Sequence, residues 1–368
     1  APVSLTIDSY IQLIMDEELE RGVLDAHALR GVAVMVDSET GEVLGVSQTP
    51  FVDFNKGRIP DPRSMINAAA QLVYEPGSTL KPIVAAAAIE KGVVKEDELI
   101  NCEEGRYRFG RKIIRDVHPI SVVPFRRVVI ESSNIGIAKI GVRLGEEALY
   151  NYLKKFGFGE FSGTGIPGES RGILRPVNRW AKIDVATHSF GQGIAVTPFQ
   201  MVRAISAIAN DGLMPSLSLV KPPNGTITYT RVVSPQTARK VQAMLMSVVE
   251  DARGTGKRAY IKGVRVSGKT GTAQKPKKNG VGYSKDRYVA SFVGFVDGSP
   301  IGVHRTLSLI VIIDEPKGGS IFGGTVAAPV FRRIMIRTLN YLGMQAGSGV
   351  RDDIEYMAGL KQDKKHQT

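Results

Sequence analysis

Ser78 and Lys81 stand three residues apart, just after the turn-like run Tyr74-Glu75-Pro76-Gly77 and at the head of an alanine-rich apolar stretch. A serine hydroxyl is a poor nucleophile until a base takes its proton. Positions i and i+3 share one face of a helix, so Lys81 is expected one turn from Ser78, within reach of its oxygen. A lysine acts as a base only when burial or a neighbouring cation pulls its pKa down. At a helix N-terminus, backbone N–H groups and the helix dipole also favour a developing oxyanion. Pro82 is tolerated because it falls in the first turn. Alone, the pair says little, since a serine three residues ahead of a lysine arises by chance on the order of once or twice in such a chain. An N-cap serine beside a solvated lysine is the bland alternative.

Two further segments supply matching chemistry. Ser132-Ser133-Asn134 follows the apolar-basic run Val122–Ile130 and precedes the helix-like Ile135-Gly136-Ile137-Ala138. Lys269-Thr270-Gly271-Thr272 closes the alternating run Val264-Arg265-Val266-Ser267-Gly268. The Ser132 hydroxyl both donates and accepts, so it can relay a proton to a leaving amine. The Asn134 amide can orient Lys81 and hold a substrate backbone. Lys269 offers positive potential to a carboxylate, Thr270 and Thr272 offer hydroxyls to the same group, and Gly271 permits close approach. Other readings stay open: Ser132 and Asn134 can merely cap a helix, and Thr270 and Thr272 are ordinary strand formers. Ser-x-x-Lys, Ser-Asp-Asn and Lys-Thr-Gly, in that order, are shared by class A β-lactamases and penicillin-binding proteins. All three occur here, with Ser133 in the middle of the second.

The similarity runs from about residue 3 to about residue 343. Ser4-Leu5-Thr6-Ile7-Asp8, Glu75-Pro76-Gly77-Ser78, Ile114-Arg115-Asp116, Ser132-Ser133-Asn134-Ile135-Gly136, Pro167-Gly168-Glu169, Ser189-Phe190-Gly191-Gln192-Gly193, Ile313-Asp314-Glu315-Pro316 and Phe322-Gly323-Gly324-Thr325 resemble the transpeptidase domain of class B penicillin-binding proteins. Asn134, where elongation-type relatives usually carry Asp, favours the cell-division (septal) subgroup. The resemblance implies a peptidoglycan DD-transpeptidase acylated on Ser78 by D-Ala-D-Ala stem peptides and trapped there by β-lactam antibiotics. It implies Lys81 as general base, with Ser132, Asn134 and Lys269 catalytic and Thr270, Gly271 and Thr272 binding substrate. The oxyanion hole is then the backbone N–H of Ser78 and of Thr272. No metal or organic cofactor is implied, and divisome membrane proteins are the expected partners. Arg115, Asp116 and Glu169 are expected in structural salt bridges or lobe contacts. A serine β-lactamase and a non-hydrolytic β-lactam sensor or scaffold are the competing readings. The class A lactamase requires a deacylating glutamate, which no segment here convincingly supplies.

Composition narrows the classes further. The 368 residues suffice for two lobes. The net charge of +12 suits an anionic polymer or membrane face. Nucleic acid is disfavoured, because the basic clusters lack interleaved aromatics. Cys102 is the only cysteine, so no intrachain disulfide forms, and the five histidines lack metal-ligand spacing. No apolar run approaches the roughly 18 residues of a membrane span. The expectation is therefore an extracytoplasmic domain on the periplasmic face of the cytoplasmic membrane, its native N-terminal anchor absent from this sequence.

The elements that must position these groups follow from periodicity. Asp8 is expected to cap a helix with Ile11, Ile14, Met15 and Leu19 on one face. Val32–Asp37 and Glu42–Ser47 read as a hairpin, and Phe51–Arg63 as loop. Helices are expected over Thr79–Lys91, Ser133–Leu144, Glu147–Phe156, Thr197–Asn210 and Val326–Leu342, and late strands over Val264–Ser267, Tyr288–Val296 and Thr306–Ile313. Strands at both ends with helices between imply one sheet built from both termini. This matches the α/β (α+β) serine β-lactamase/penicillin-binding-protein transpeptidase fold that the resemblance implies: a mainly antiparallel sheet flanked by helices, plus an all-helical subdomain. The expected organisation is one transpeptidase domain over 1–343, with sheet parts near 1–60 and 258–343, a helical lobe near 61–257 and a polar tail over 344–368. The stretch Lys275–Lys285 is expected as a long loop able to gate substrate. Gly163-Thr164-Gly165-Ile166-Pro167-Gly168 and Gly254-Thr255-Gly256-Lys257 mimic nucleotide-binding motifs but lack the required context and read as loops.

Overall fold

The structure, a computed structural model, describes residues 3–52, 65–221, 226–277 and 282–345. Five strands form the central sheet: β1 (Arg30–Asp37), β2 (Val43–Thr49), β3 (Arg265–Pro276), β4 (Tyr283–Asp297) and β5 (Thr306–Asp314). Their order is β2-β1-β5-β4-β3, with every neighbouring pair antiparallel. β1 pairs with β5 from Arg30↔Asp314 to Asp37↔Leu307, so the two ends of the chain meet in mid-sheet.

Both faces of this sheet are covered. Val32, Val34, Val36, Val293, Ile310 and Ile312 enter one core, shared with the helical middle of the chain. Ala33, Met35, Phe292, Leu309, Val311 and Ile313 enter a second core. Helices α1 (Ser9–Asp25) and, at the far end of the chain, Ala328–Gln345 pack there. Burial on both faces is why Leu307–Ile313 reads as a nearly unbroken apolar run rather than an alternation. Asp8 caps α1 by accepting from the N–H of Tyr10 and Ile11, and Ile11, Met15 and Leu19 are fully buried. Each such side chain contributes about 1.5–3 kcal/mol.

The middle of the chain supplies α2 (Lys81–Glu90), α3 (Asn134–Leu144), α4 (Pro198–Ala209) and α5 (Pro235–Glu250); the C-terminal Ala328–Gln345 is α6. The expected helices are present, with Ser133 and Thr197 as N-caps. Several features differ from expectation. The middle is not all helix: Leu99–Asn101 pairs with Val122–Pro124, and Arg106–Phe109 pairs with Lys112–Arg115 across a Gly110-Arg111 turn. α5 has no counterpart in the sequence reading, although Ser234 caps it and Pro235 occupies its first position. β3 runs past the Lys269–Thr272 segment to Pro276, pairing with β4 from Arg265 to Gln274 and again at Pro276 after a register shift. Of the expected Lys275–Lys285 loop, 275–276 and 283–285 are strand, Lys277 N–H donates to the Gly282 carbonyl, and 278–281 fall outside the described residues. The expected Phe51–Arg63 loop and polar tail lie largely outside them as well.

Candidate active site

Ser78 sits in a 3-10 turn, Gly77–Leu80, that leads directly into α2, so the nucleophile precedes the α-helix instead of lying within it. Two glycines shape this turn. Gly77 has φ +54 and its N–H donates to the Gly191 carbonyl, while a Cβ on Gly191 would lie 2.1 Å from the Gly77 oxygen. The turn packs on β3, where a Cβ on Gly271 would lie 2.4 Å from Ser291 Oγ, 2.9 Å from Thr79 Cγ2 and 3.1 Å from the Pro76 oxygen. Gly271 thus admits backbone, bringing the Ser78 turn against the strand that carries Lys269. Glu75 adds a clasp: its Oε1 accepts from Gly193 N–H (2.9 Å) and from the Tyr283 hydroxyl (3.1 Å).

Lys81, Ser132, Asn134 and Lys269 meet at one point. Lys81 Nζ lies 2.6 Å from the Ser132 carbonyl, 2.8 Å from Asn134 Oδ1 and 3.1 Å from Ser132 Oγ. Lys269 Nζ reaches the same hydroxyl at 2.9 Å. Ser132 has φ +63, a left-handed conformation costing about 1–3 kcal/mol for a non-glycine residue, and it is held there between α3 and the helix Phe125–Ile130. Both lysines are fully buried. Burial pulls Lys81 down to about 7, opposed by the negative charge of Asp116. Burial pulls Lys269 well below its ordinary value, and the charge of Lys81 adds to this. Two cations sharing one hydroxyl in a dry site cannot both remain charged near neutrality, so the cluster accommodates one positive charge more readily than two.

A neutral Lys81 has two N–H bonds and one lone pair. The Ser132 carbonyl and Asn134 Oδ1 have no proton to give, so they take the two N–H bonds. The lone pair is left for a hydroxyl proton. As an ammonium, Lys81 would spend three protons on three acceptors and have no basicity left. The depressed pKa is therefore what makes the residue useful.

Of the salt bridge or lobe contact expected of it, Asp116 makes the contact: it holds this cluster. Its Oδ1 accepts from the N–H of Asn134 (2.5 Å) and Ile135 (3.1 Å), and its Oδ2 accepts from Ser133 Oγ (2.6 Å). The Arg115 carbonyl accepts from Asn134 Nδ2 (2.9 Å), which turns Oδ1 toward Lys81. Glu169 likewise makes no described salt bridge; it accepts from Ser162 N–H and Thr164 Oγ1 within its own loop.

Thr270 Oγ1 bonds Thr255 Oγ1 at 2.8 Å, and Thr272 Oγ1 accepts from Gly323 N–H at 3.1 Å. Thr255 belongs to the Gly254–Lys257 segment: it is loop, as read, but it borders the site. Sequence reasoning missed Thr255, Glu75 and the role of Asp116. Only Glu75 and Asp116 had a signal, through their places in the motifs quoted above. β3 is the edge strand beside Ser78, so its outward edge has no strand partner among the described residues.

Comparison with known proteins identifies the family and the fold. Residues 31–336 match the family model of the penicillin binding protein transpeptidase domain. The chain is 36% identical over 345 residues to the probable peptidoglycan D,D-transpeptidase PenA of Neisseria gonorrhoeae, covering 93% of this chain and 57% of that protein. It is 35% identical over 343 residues to the peptidoglycan D,D-transpeptidase FtsI of Escherichia coli, covering 92% of this chain and 56% of that protein. The apo transpeptidase domain of penicillin-binding protein 3 from Burkholderia pseudomallei superposes with TM-score 0.82 at 36% identity, over 92% of this chain and 96% of that one. The chain thus spans little more than half the length of these curated relatives.

Proposed function

The chain belongs to the penicillin-binding-protein transpeptidase family, and from that premise we propose that it is a serine D-Ala-D-Ala transpeptidase of peptidoglycan synthesis. The observation that carries this reading is the convergence of Lys81 and Lys269 on the Ser132 hydroxyl, with Asn134 Oδ1 on Lys81, three residues along the chain from Ser78. Ser78 Oγ attacks the penultimate D-Ala carbonyl and its proton passes to neutral Lys81. The oxyanion is received by the N–H groups of Ser78 and Thr272. The C–N bond then breaks, the departing D-Ala takes a proton through Ser132 Oγ, and an ester on Ser78 remains. An amine of a second stem peptide attacks this ester, forms the cross-link and restores Ser78.

The terminal carboxylate of the donor binds at Lys269, Thr270 and Thr272. Its arrival favours the charged form of Lys269, and repulsion then keeps Lys81 neutral when it must act as base. The likeness to FtsI supports a septal role with divisome partners. Assembly of the wall outside the cytoplasmic membrane places the activity on the extracytoplasmic side. Among the described residues no helix is long and apolar enough to cross a membrane.

Incubation with a D-Ala-D-Ala-ended peptide and an amine acceptor tests the transfer step. One free D-Ala per cross-linked product is expected. Hydrolysed donor alone would indicate a hydrolase, and acylation without any product a sensor.

A further inference from the structure

We propose that the outward face of the ribbon Arg106–Arg115 is a docking strip for side-chain carboxylates of the acidic peptide whose acyl end reaches Ser78; this rests on the transpeptidase reading above. Directly opposed residues of an antiparallel ribbon share a face. Arg106 opposes Arg115, and Arg108 opposes Ile113. Ile114 is buried and Tyr107 and Phe109 are half-buried against the core, so the other face looks outward. That outward face carries Arg106, Arg108 and Arg115, with Arg111 in the turn; Lys112 stands opposite Phe109 at the end of the other face, and all five are exposed.

No acidic residue interrupts 106–115, and none of the five cations pairs with a described acidic residue. Exposed arginines elsewhere do find partners, as in Arg239–Asp211 and Arg265–Asp297. Like charges directly opposed in a ribbon repel, so the Arg106–Arg115 pair works against the fold unless an anion lies across it.

Position and chemistry select the occupant. The strand Lys112–Arg115 runs straight into Asp116, which holds Ser133 and Asn134, so the strip ends where the catalytic cluster begins. Four of the five cations are arginines, whose planar forks match carboxylates. Arg106 and Arg108 lie two strand residues apart, roughly 7 Å, the side-chain repeat of an extended peptide. The ribbon's aromatics face inward, so no stacking platform for nucleic-acid bases is presented. Ile113 is the one large apolar side chain exposed on it, too little for insertion into a membrane interface.

The test compares wild type with the Arg106→Gln/Arg108→Gln/Arg111→Gln variant. The probes are a D-Ala-D-Ala-ended peptide with two free side-chain carboxylates, its fully side-chain-amidated counterpart, and benzylpenicillin. Benzylpenicillin should acylate both proteins at rates within about twofold, showing an intact site. The variant should use the acidic peptide about tenfold less well in kcat/KM at low salt, a gap that closes at high salt. The amidated peptide should be used equally by both. Equal use of the acidic peptide, or an equal loss with the amidated one, overturns the strip while leaving Ser78 chemistry intact. Weakened binding of the variant to anionic phospholipid vesicles with unchanged peptide kinetics assigns the patch to membrane and also overturns it. Failure of benzylpenicillin to acylate either protein overturns the transpeptidase reading and the strip together.

Discussion

Asp116→Asn and Asp116→Ala should disturb the site in two separable ways, one mechanical and one electrostatic. Mechanically, Asp116 accepts three hydrogen bonds at the head of α3, from Asn134 N–H, Ile135 N–H and Ser133 Oγ. Bonds to a charged acceptor contribute about 1.5–3 kcal/mol each, and partial exposure argues for the lower end. An asparagine oxygen can keep the two amide bonds and forfeits the third, for a loss of about 1–2 kcal/mol. Alanine forfeits all three, for about 3–5 kcal/mol, and frees Asn134 to drift from Lys81. A displacement of about 1 Å can cost a factor of about 100 in rate, so the plateau acylation rate should fall steeply for alanine and modestly for asparagine. Electrostatically, Asp116 favours the charged form of Lys81 against burial. Removing that charge lowers the Lys81 pKa below about 7, so the acid limb of the acylation profile should move to lower pH in both variants. The assay is the second-order acylation rate with a fluorescent penicillin across pH 5–9, alongside thermal melts. An acid limb that stays put or moves upward, or an alanine variant as stable as wild type, would refute the reasoning.

Gly271→Ala should cost about 1–3 kcal/mol by overpacking, since its Cβ would meet Ser291, Thr79 and Pro76 within 3.1 Å. It should push the Ser78 turn off β3, so acylation should fall proportionally more than the melting temperature; a normal rate would show that the contact is not needed. Lys81 has a native pKa of about 7 against an ordinary 10.5, so between these pH values the unfolded chain binds the extra proton and stability should rise with pH. Melting temperatures from pH 6 to 10 should show this slope in wild type and a shallower one in Lys81→Met, with Lys269 supplying the remainder. A slope unchanged by Lys81→Met would mean that Lys81 does not titrate in this window.

What could be read from the sequence was what is local. Ser78 and Lys81 are one turn apart in the chain, and Ser133 and Thr197 cap the helices that follow them. The paired end strands were legible because their apolar runs are long. The Lys-Thr-Gly segment is legible as the close of the β3 strand; its continuation to Pro276 is not, because Gln274-Lys275-Pro276 lack apolar character and the strand is extended there by pairing with β4. The 106–115 ribbon escaped for a similar reason, its two strands being four residues each. The role of Asp116 is not legible, because nothing local shows that its carboxylate closes on the head of a helix seventeen residues on. α5 does carry a local signal, since Ser234-Pro235 is an ordinary helix start. The convergence of two lysines on the Ser132 hydroxyl is long-range, and only the fold reveals it.

The central claim, that Ser78 becomes acylated and passes its acyl group on slowly to water, is tested most directly by intact mass after incubation with benzylpenicillin, followed over hours, for wild type and Ser78→Ala. A single adduct of one penicillin that persists in wild type and never forms on Ser78→Ala is predicted. An adduct on the variant, no adduct on wild type, or one that vanishes while the drug is consumed would contradict it.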